Sequence, residues 1–219
     1  MFNLVIKDIL IQKKQLIFSL VYLVFILVTF QGMGEAMFPM GLVAMAYMLS
    51  MTACAYEEKN RSDLLLNSLP IKRESIVASK YLSVFVYTLM VTALYEAMVI
   101  IINILNIPLK TFPLSLEMFI GGLVAVCSMT GIYFPIYFKF GYMKMRVANF
   151  VLFFLFFFGS SYMTHFLNSN HDSLLVNGII NFFNTQSDIT ISLVLLIIIA
   201  VYMLLSFLLS AWFYNRREF

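Results

Sequence analysis

The chain has 219 residues, of which 62% are hydrophobic and only 11% are charged, and its net charge is +3. Soluble domains contain about 45–50% apolar and about 25% charged residues, so this composition excludes a soluble domain and a disordered chain. The weak positive charge does not indicate a nucleic-acid partner. Both cysteines, Cys54 and Cys127, lie in apolar stretches and are expected to be small core residues without a disulfide. The composition therefore predicts a chain that folds in a lipid bilayer.

The first fifteen residues predict an amphipathic helix on the membrane surface. Apolar side chains recur at helical spacing at Phe2, Val5, Ile6 and Ile9, and lysines lie elsewhere around the helix. The alternative is a simple charged segment that sets the topology. A cleaved signal peptide is disfavoured, because the charged region is long and no A-x-A site follows the first apolar run.

Six apolar stretches follow, and a bilayer-spanning helix needs about 20 such residues. We predict an all-α membrane protein with a single transmembrane domain over residues 1–219 and six spans at about 16–31, 39–56, 81–105, 118–138, 147–166 and 189–214. This arrangement puts 13 of the 14 Lys and Arg residues on one side, and only Lys110 opposite. Cytoplasmic loops are rich in Lys and Arg, so both termini are predicted to be cytoplasmic.

The polar segment between the second and third spans contains a short apolar helix. Residues 61–68 can form two turns, and Pro70 ends them because it disfavours the α conformation of the preceding residue. A new helix starts at residues 71–74 and runs into the third span. Leu64–Leu66 would lie in water unless a partner covers them. The alternative is a helical hairpin that packs on its own membrane surface.

Just before this helix, residues 57–61 read Glu-Glu-Lys-Asn-Arg, close to the E-E-x-x-x-R signature of membrane-embedded proteases. The arginine comes one residue early, and His165 and His171 are predicted at the opposite membrane surface, about 30 Å away. We therefore reject a protease. The sequence also lacks a P-loop, an H-E-x-x-H or G-x-S-x-G motif and a Cys/His cluster, so we expect no catalysis and no metal or cofactor bound by this chain.

The third span carries a polar face around Glu96, the one formal charge placed well inside a predicted span. Thr92 and Tyr95 share this face with it. An intramembrane carboxyl is costly and is by default a functional-site hypothesis. The face is either the wall of a translocation route or a hydrogen-bonded helix contact, and the residues leave both open.

Two further features concern packing and the outer surface. Small residues in the fourth span, Gly121, Ala125 and Ser128 on one face together with Gly122 and Gly131, predict close helix packing. The apolar segment Leu174–Phe183 is too short to cross the bilayer and predicts an interfacial or re-entrant helix between the fifth and sixth spans.

Together these features resemble an ABC-2-type transporter permease. The most specific part is the loop after the second span, where Ser68-Leu69-Pro70-Ile71-Lys72-Arg73 is similar to the S-L-P-[IV]-x-R stretch of small bacterial members. The resemblance implies that the short helix docks into a groove of a separate ATPase subunit, which binds ATP and Mg. It assigns this coupling to Arg61, Ser62, Asp63, Leu64, Leu65, Leu66 and Asn67, with the leucines as anchors and Arg61 and Asp63 setting the orientation.

The same resemblance implies the permease subunit of an ATP-driven exporter in the bacterial plasma membrane. Two permease chains, identical or related, would enclose a path that spans two and five usually line. The expected substrate is an amphipathic toxin or antimicrobial peptide or a lipid-like compound. Thr92, Tyr95 and Glu96 are candidates for the path, although they lie on span three. The alternative function is a secondary transporter or membrane scaffold that needs no ATPase.

Overall fold

A computed structural model describes residues 2–68, 70–169, 177–178 and 185–217. Within these ranges the chain is helical and contains no strand, so the predicted all-α class is confirmed. The helices are α1 (Phe2–Ile11), α2 (Lys13–Thr29), a 3-10 helix (Gln31–Ala36), α3 (Met37–Lys59), α4 (Ser62–Ser68), α5 (Arg73–Ile104), α6 (Leu116–Phe140), α7 (Tyr142–Ser169) and α8 (Asp188–Asn215). The predicted outer helix Leu174–Phe183 falls, except for residues 177–178, outside the described residues.

In the part of the chain that the structure describes, five helical stretches are long and apolar enough to cross a membrane: α3 with the preceding 3-10 helix, α5, α6, α7 and α8. They coincide with the second to sixth predicted spans, and the chain is a multi-pass membrane protein. The first predicted span corresponds to α2, whose apolar part covers only Ile17–Thr29. With 17 residues, α2 is about 26 Å long, slightly less than the hydrocarbon core of about 30 Å. A sixth span therefore stays a prediction.

Close packing places α6 between α3 and α8, and two glycines permit it. A Cβ on Gly122 would lie 2.7 Å from Leu42 Cδ2 on α3, and a Cβ on Gly131 would collide with the ring of Tyr202 on α8. No atom lies within 4 Å of the equivalent position on Gly121. Of the small residues that predicted packing in this span, Gly122 and Gly131 make the close approaches, and Gly121 does not.

A cluster of hydroxyl groups supplies the hydrogen bond that Pro135 removes from the backbone of α6. Proline has no N–H, so the carbonyl of Gly131, four residues earlier, loses its helical donor. The Ser206 hydroxyl on α8 donates to this carbonyl at 2.6 Å. Since that proton is used, Tyr81 OH on α5 donates to Ser206 Oγ, also at 2.6 Å. The cluster joins α5, α6 and α8 through groups that would otherwise be buried without partners.

Candidate functional site

Helix α4, which contains most of the predicted coupling segment, lies at one end of the bundle and follows α3 after a two-residue turn. In this turn Arg61 adopts a left-handed φ of 51°. Leu65 is 67% exposed, whereas Leu66 is only 8% exposed and belongs to the core. Leu66 therefore holds α4 against its own bundle, and of the two leucines whose side chains are described Leu65 is the one that a partner can reach. The side chains of Asp63, Leu64 and Asn67 are outside the described set, and the coupling role of residues 61–67 stays a prediction.

The last turn of α3, immediately before α4, carries two adjacent carboxylates that reach different helices. Glu58 accepts hydrogen bonds from the backbone N–H groups of Tyr142 and Met143, the latter at 3.2 Å. The first N–H groups of a helix have no partner within it, so Glu58 caps the start of α7. Gly141, with a φ of 78°, makes the sharp turn from α6 into this cap.

Glu57 points instead into a buried cluster of four charges. Lys80 Nζ on α5 lies 2.9 Å from Glu57 Oε2 and 2.8 Å from Asp8 Oδ2 on α1. Lys7 bonds the other oxygen of Glu57 and lies 3.4 Å from Asp8 Oδ1. The side chains of Lys80 and Asp8 are 3% and 1% exposed. Buried charges are tolerated when they are paired, and here two acids and two bases balance.

Polar contacts extend this cluster along α1. Ser83 Oγ donates to Asp8 Oδ2 at 3.3 Å, and Gln12 Nε2 donates to the Leu49 carbonyl at 2.9 Å. Asp8 on α1 and Gln12, which follows α1, are thus both buried, while the apolar side chain of Ile6 is exposed. This helix is attached to α3 and α5 by ion pairs and hydrogen bonds, in addition to any contact with lipid.

Sequence reasoning missed this cluster. It treated Lys7 and Lys80 only as topology-setting charges and did not consider Asp8. It predicted a helix that starts at residues 71–74, in agreement with α5, but it placed Lys80 one residue before the apolar span that begins at Tyr81. Lys80, at 3% exposed, is the most buried basic side chain among the described residues, and it is far more buried than Glu96. The signal available in the sequence was Asp8, an acidic residue on a short amphipathic helix. Its position alone does not indicate which basic residue pairs with it.

Glu96 is half-buried and holds the segment between α5 and α6. Its Oε1 accepts a hydrogen bond from the backbone N–H of Leu114 at 3.2 Å, and Tyr95 OH donates to the Phe112 carbonyl at 2.9 Å. Thr92 donates to a carbonyl of its own helix at 2.8 Å. The bonds of Glu96 and Tyr95 join α5 to the backbone of the segment before α6, and not to a side chain of another span. A role of this face in translocation stays a prediction.

An open apolar groove runs between α2, α3 and α7. A cavity of about 500 Å³ near the α4 end adjoins a second cavity of about 250 Å³ toward the other end, with which it shares lining residues. The lining shared by both is Tyr22, Ala44 and Phe153. Helices α3 and α7 are the second and fifth predicted spans. Thr92, Tyr95 and Glu96 do not line this groove.

Two polar side chains interrupt the apolar lining near the α4 end, Arg146 and Asn149, one turn apart on α7. Asn149 is 4% exposed, and its Oδ1 accepts a long hydrogen bond of 3.5 Å from Tyr47 OH. Its Nδ2 has no hydrogen-bond partner among the described residues. The groove thus combines a long apolar surface with one polar end, which suits an amphipathic molecule.

Comparison with known proteins places the chain in a family. The family model described as ABC-2 family transporter protein matches residues 3–215, nearly the whole chain. No curated protein and no solved structure matches it significantly. In this family the membrane subunit is the transport component, and separate subunits generally hydrolyse ATP. The chain, with its bundle of apolar helices, belongs to the ABC-2 family of transporter proteins.

Proposed function

We propose that this chain is the permease subunit of an ATP-driven exporter that moves amphipathic peptides or lipid-like compounds across the bacterial plasma membrane. Family membership supports a permease in general. The observation that carries the proposal further is α4, a two-turn helix with an exposed leucine at the end of the bundle where the basic residues gather. By the positive-inside rule this end and both termini face the cytoplasm.

In this proposal α4 docks on a separate ATPase subunit that binds ATP and Mg. Leu65 is the apolar anchor, since a buried apolar contact is worth about 1.5–3 kcal/mol for a leucine that leaves water. Arg61, Ser62, Asp63, Leu64 and Asn67 contribute the remaining contacts. Leu66 holds α4 against the bundle, because its side chain lies on the inner side of the helix and lines a small cavity together with Glu57, Ile76 and Tyr214.

We propose that the groove between α3 and α7 forms one half of the substrate path. A second permease chain, identical or related, would face it and complete the enclosure. The apolar lining suits the apolar face of an amphipathic substrate, and Arg146 and Asn149 suit its polar end. We prefer this groove to the face around Glu96, because the hydrogen bonds of Glu96 and Tyr95 are used to hold the segment before α6.

The test is co-purification of the full chain with an ATPase encoded beside it, after expression of both. We expect a stable complex that Leu65→Asp disrupts, because a charge replaces the anchor. The matched control is Leu116→Asp. Leu116 is a 57% exposed leucine at the start of α6, where a carboxylate is favoured by the helix dipole.

Retained binding by Leu65→Asp would contradict docking through α4. Export of substrate by the purified chain alone, driven by an ion gradient without any ATPase, would instead support the secondary-transporter alternative.

A further inference from the structure

We infer that the adjacent carboxylates Glu57 and Glu58 link α4 mechanically to the groove, with Glu58 as the positioning residue that makes α7 follow the movement of α4. The inference rests on the proposed function and deepens it, since it names the residues that carry motion from the docking helix to the substrate path.

The first step is the connection between α4 and α3. Only Asn60 and Arg61 separate the two helices, and both are held tightly. Asn60 N–H donates to the Tyr56 carbonyl at 3.0 Å, and Arg61 N–H donates to the Glu58 carbonyl at 3.1 Å. The first bond continues the helical pattern of α3 and the second closes a tight turn, so a displacement of α4 reaches the last turn of α3, which carries both carboxylates.

The second step concerns which helices move with this turn. Glu57 is paired with Lys80 on α5 and Lys7 on α1, and Lys80 also holds Asp8. The two pairs that Lys80 makes are buried and have no water to replace a lost partner, so separating them is costly. The end of α3, α1 and the start of α5 therefore behave as one body.

The third step is the attachment of α7. Glu58 receives both the Tyr142 and the Met143 N–H groups, at the point where α7 begins. Beyond this point the groove separates α3 from α7, and the hydrogen bond that crosses it, from Tyr47 to Asn149, is long at 3.5 Å. Glu58 is thus a strong polar contact at the narrow end of a wide gap. Movement of the α3 end would change the width of the groove through this contact.

The test measures the groove directly in the assembled transporter. Spin labels are placed on cysteines at Met48 of α3 and Phe154 of α7, two exposed lining residues, in a chain whose buried Cys54 and Cys127 are replaced by alanine. The distance distribution between the labels is recorded in a bilayer disc without nucleotide and with ATP plus vanadate. We expect a nucleotide-dependent shift of this distance in the otherwise unchanged chain.

Glu58→Ala is expected to abolish the shift while the ATPase still co-purifies, because α4 itself is untouched. Glu58→Gln, which keeps one acceptor oxygen, should restore part of the shift. The matched control is Glu117→Ala, which removes a glutamate from the first turn of α6 and should leave the shift unchanged.

A second pair of variants removes the link without changing Glu58 and covers the case that Glu58→Ala does not fold. Tyr142→Pro deletes one of the two donors at the first helical position, where proline is tolerated, and the extended ψ of 166° at Gly141 accommodates it. Tyr142→Ala removes the same side chain but keeps the N–H. We expect the proline variant to reduce the shift and the alanine variant to retain it.

A full shift in Glu58→Ala or in Tyr142→Pro would overturn the inference. So would an ATPase-bound parent chain whose distance does not respond to nucleotide. Failure of the parent chain to bind any ATPase is a different result, because it refutes the proposed function itself.

Discussion

Replacement of Lys80 by methionine tests the buried charge cluster most directly. The substitution keeps a side chain of similar length but removes the ammonium that lies 2.8 Å from Asp8 and 2.9 Å from Glu57. At an effective dielectric constant of about 20, each pair is worth roughly 6 kcal/mol by Coulomb's law. Desolvation of each ion offsets several kcal/mol of this, so the net contribution of the pairs is small.

The cost of Lys80→Met therefore comes from the two carboxylates left behind. Lys7, the remaining base, is 28% exposed and cannot balance both acids. Removing one partner from a buried pair typically costs about 3–5 kcal/mol, and we expect a loss of this size. The measurement is the free energy of unfolding in mixed micelles. Lys110→Met is the control, since Lys110 is exposed and such changes stay within about 0.5 kcal/mol.

A double-mutant cycle with Asp8→Asn separates pairing from simple loss of packing. In the double variant Lys7 and Glu57 remain as a neutral pair, so its cost should fall below the sum of the two single costs by more than about 1 kcal/mol. Additive single costs, or a Lys80→Met variant as stable as the parent, would refute the assignment of these charges to one buried cluster.

Three further predictions concern the packing of the bundle and the segment before α6. Ser206→Ala leaves the Gly131 carbonyl without a donor and should lower the free energy of unfolding by about 1–3 kcal/mol. A variant as stable as the parent would contradict the role of Ser206 as the donor to this carbonyl. Gly122→Val should lower the melting temperature because overpacking costs about 1–3 kcal/mol, whereas Gly121→Val, with open space around it, should not. Glu96→Gln should leave export and folded yield nearly unchanged, and Glu96→Leu should reduce the yield in a quantitative fluorescence assay, because leucine cannot accept the bond from the next segment. A Glu96→Gln variant that folds normally but exports poorly would instead restore the translocation hypothesis.

Most helices could be predicted because their signals are local. Long apolar runs marked α3 and α5–α8, and Pro70 marked the break between α4 and α5. The weak case was α2, whose apolar part is short because lysines occupy its start. The predictions of bounds were poorest at the polar ends of helices, where hydropathy falls although the backbone hydrogen bonds continue. For this reason the predicted third span began only at Tyr81, although α5 begins at Arg73, where residues 71–74 had predicted a helix start.

The partners of the polar residues could not be predicted. Asp8 and Lys80 are 72 residues apart, and Glu58 and Tyr142 are 84 apart. A charged side chain within a helix has the same local pattern whether it faces water or a buried counter-charge. The neighbours Leu65 and Leu66 show the same difficulty, because helical periodicity in a seven-residue helix does not say which of two adjacent leucines faces the bundle.

From its amino acids alone, this protein could be recognised as a helical membrane protein with a short polar-loop helix, and its resemblance to a transporter family could be stated. Hydrophobic length and helix-breaking residues act within a few residues of chain, so they can be read without a fold. The neutral cluster around Lys80, the cap that Glu58 provides and the groove between α3 and α7 depend on which helices are neighbours. Packing decided those neighbours, and the cost of burying an unpaired polar group then determined which side chains had to meet.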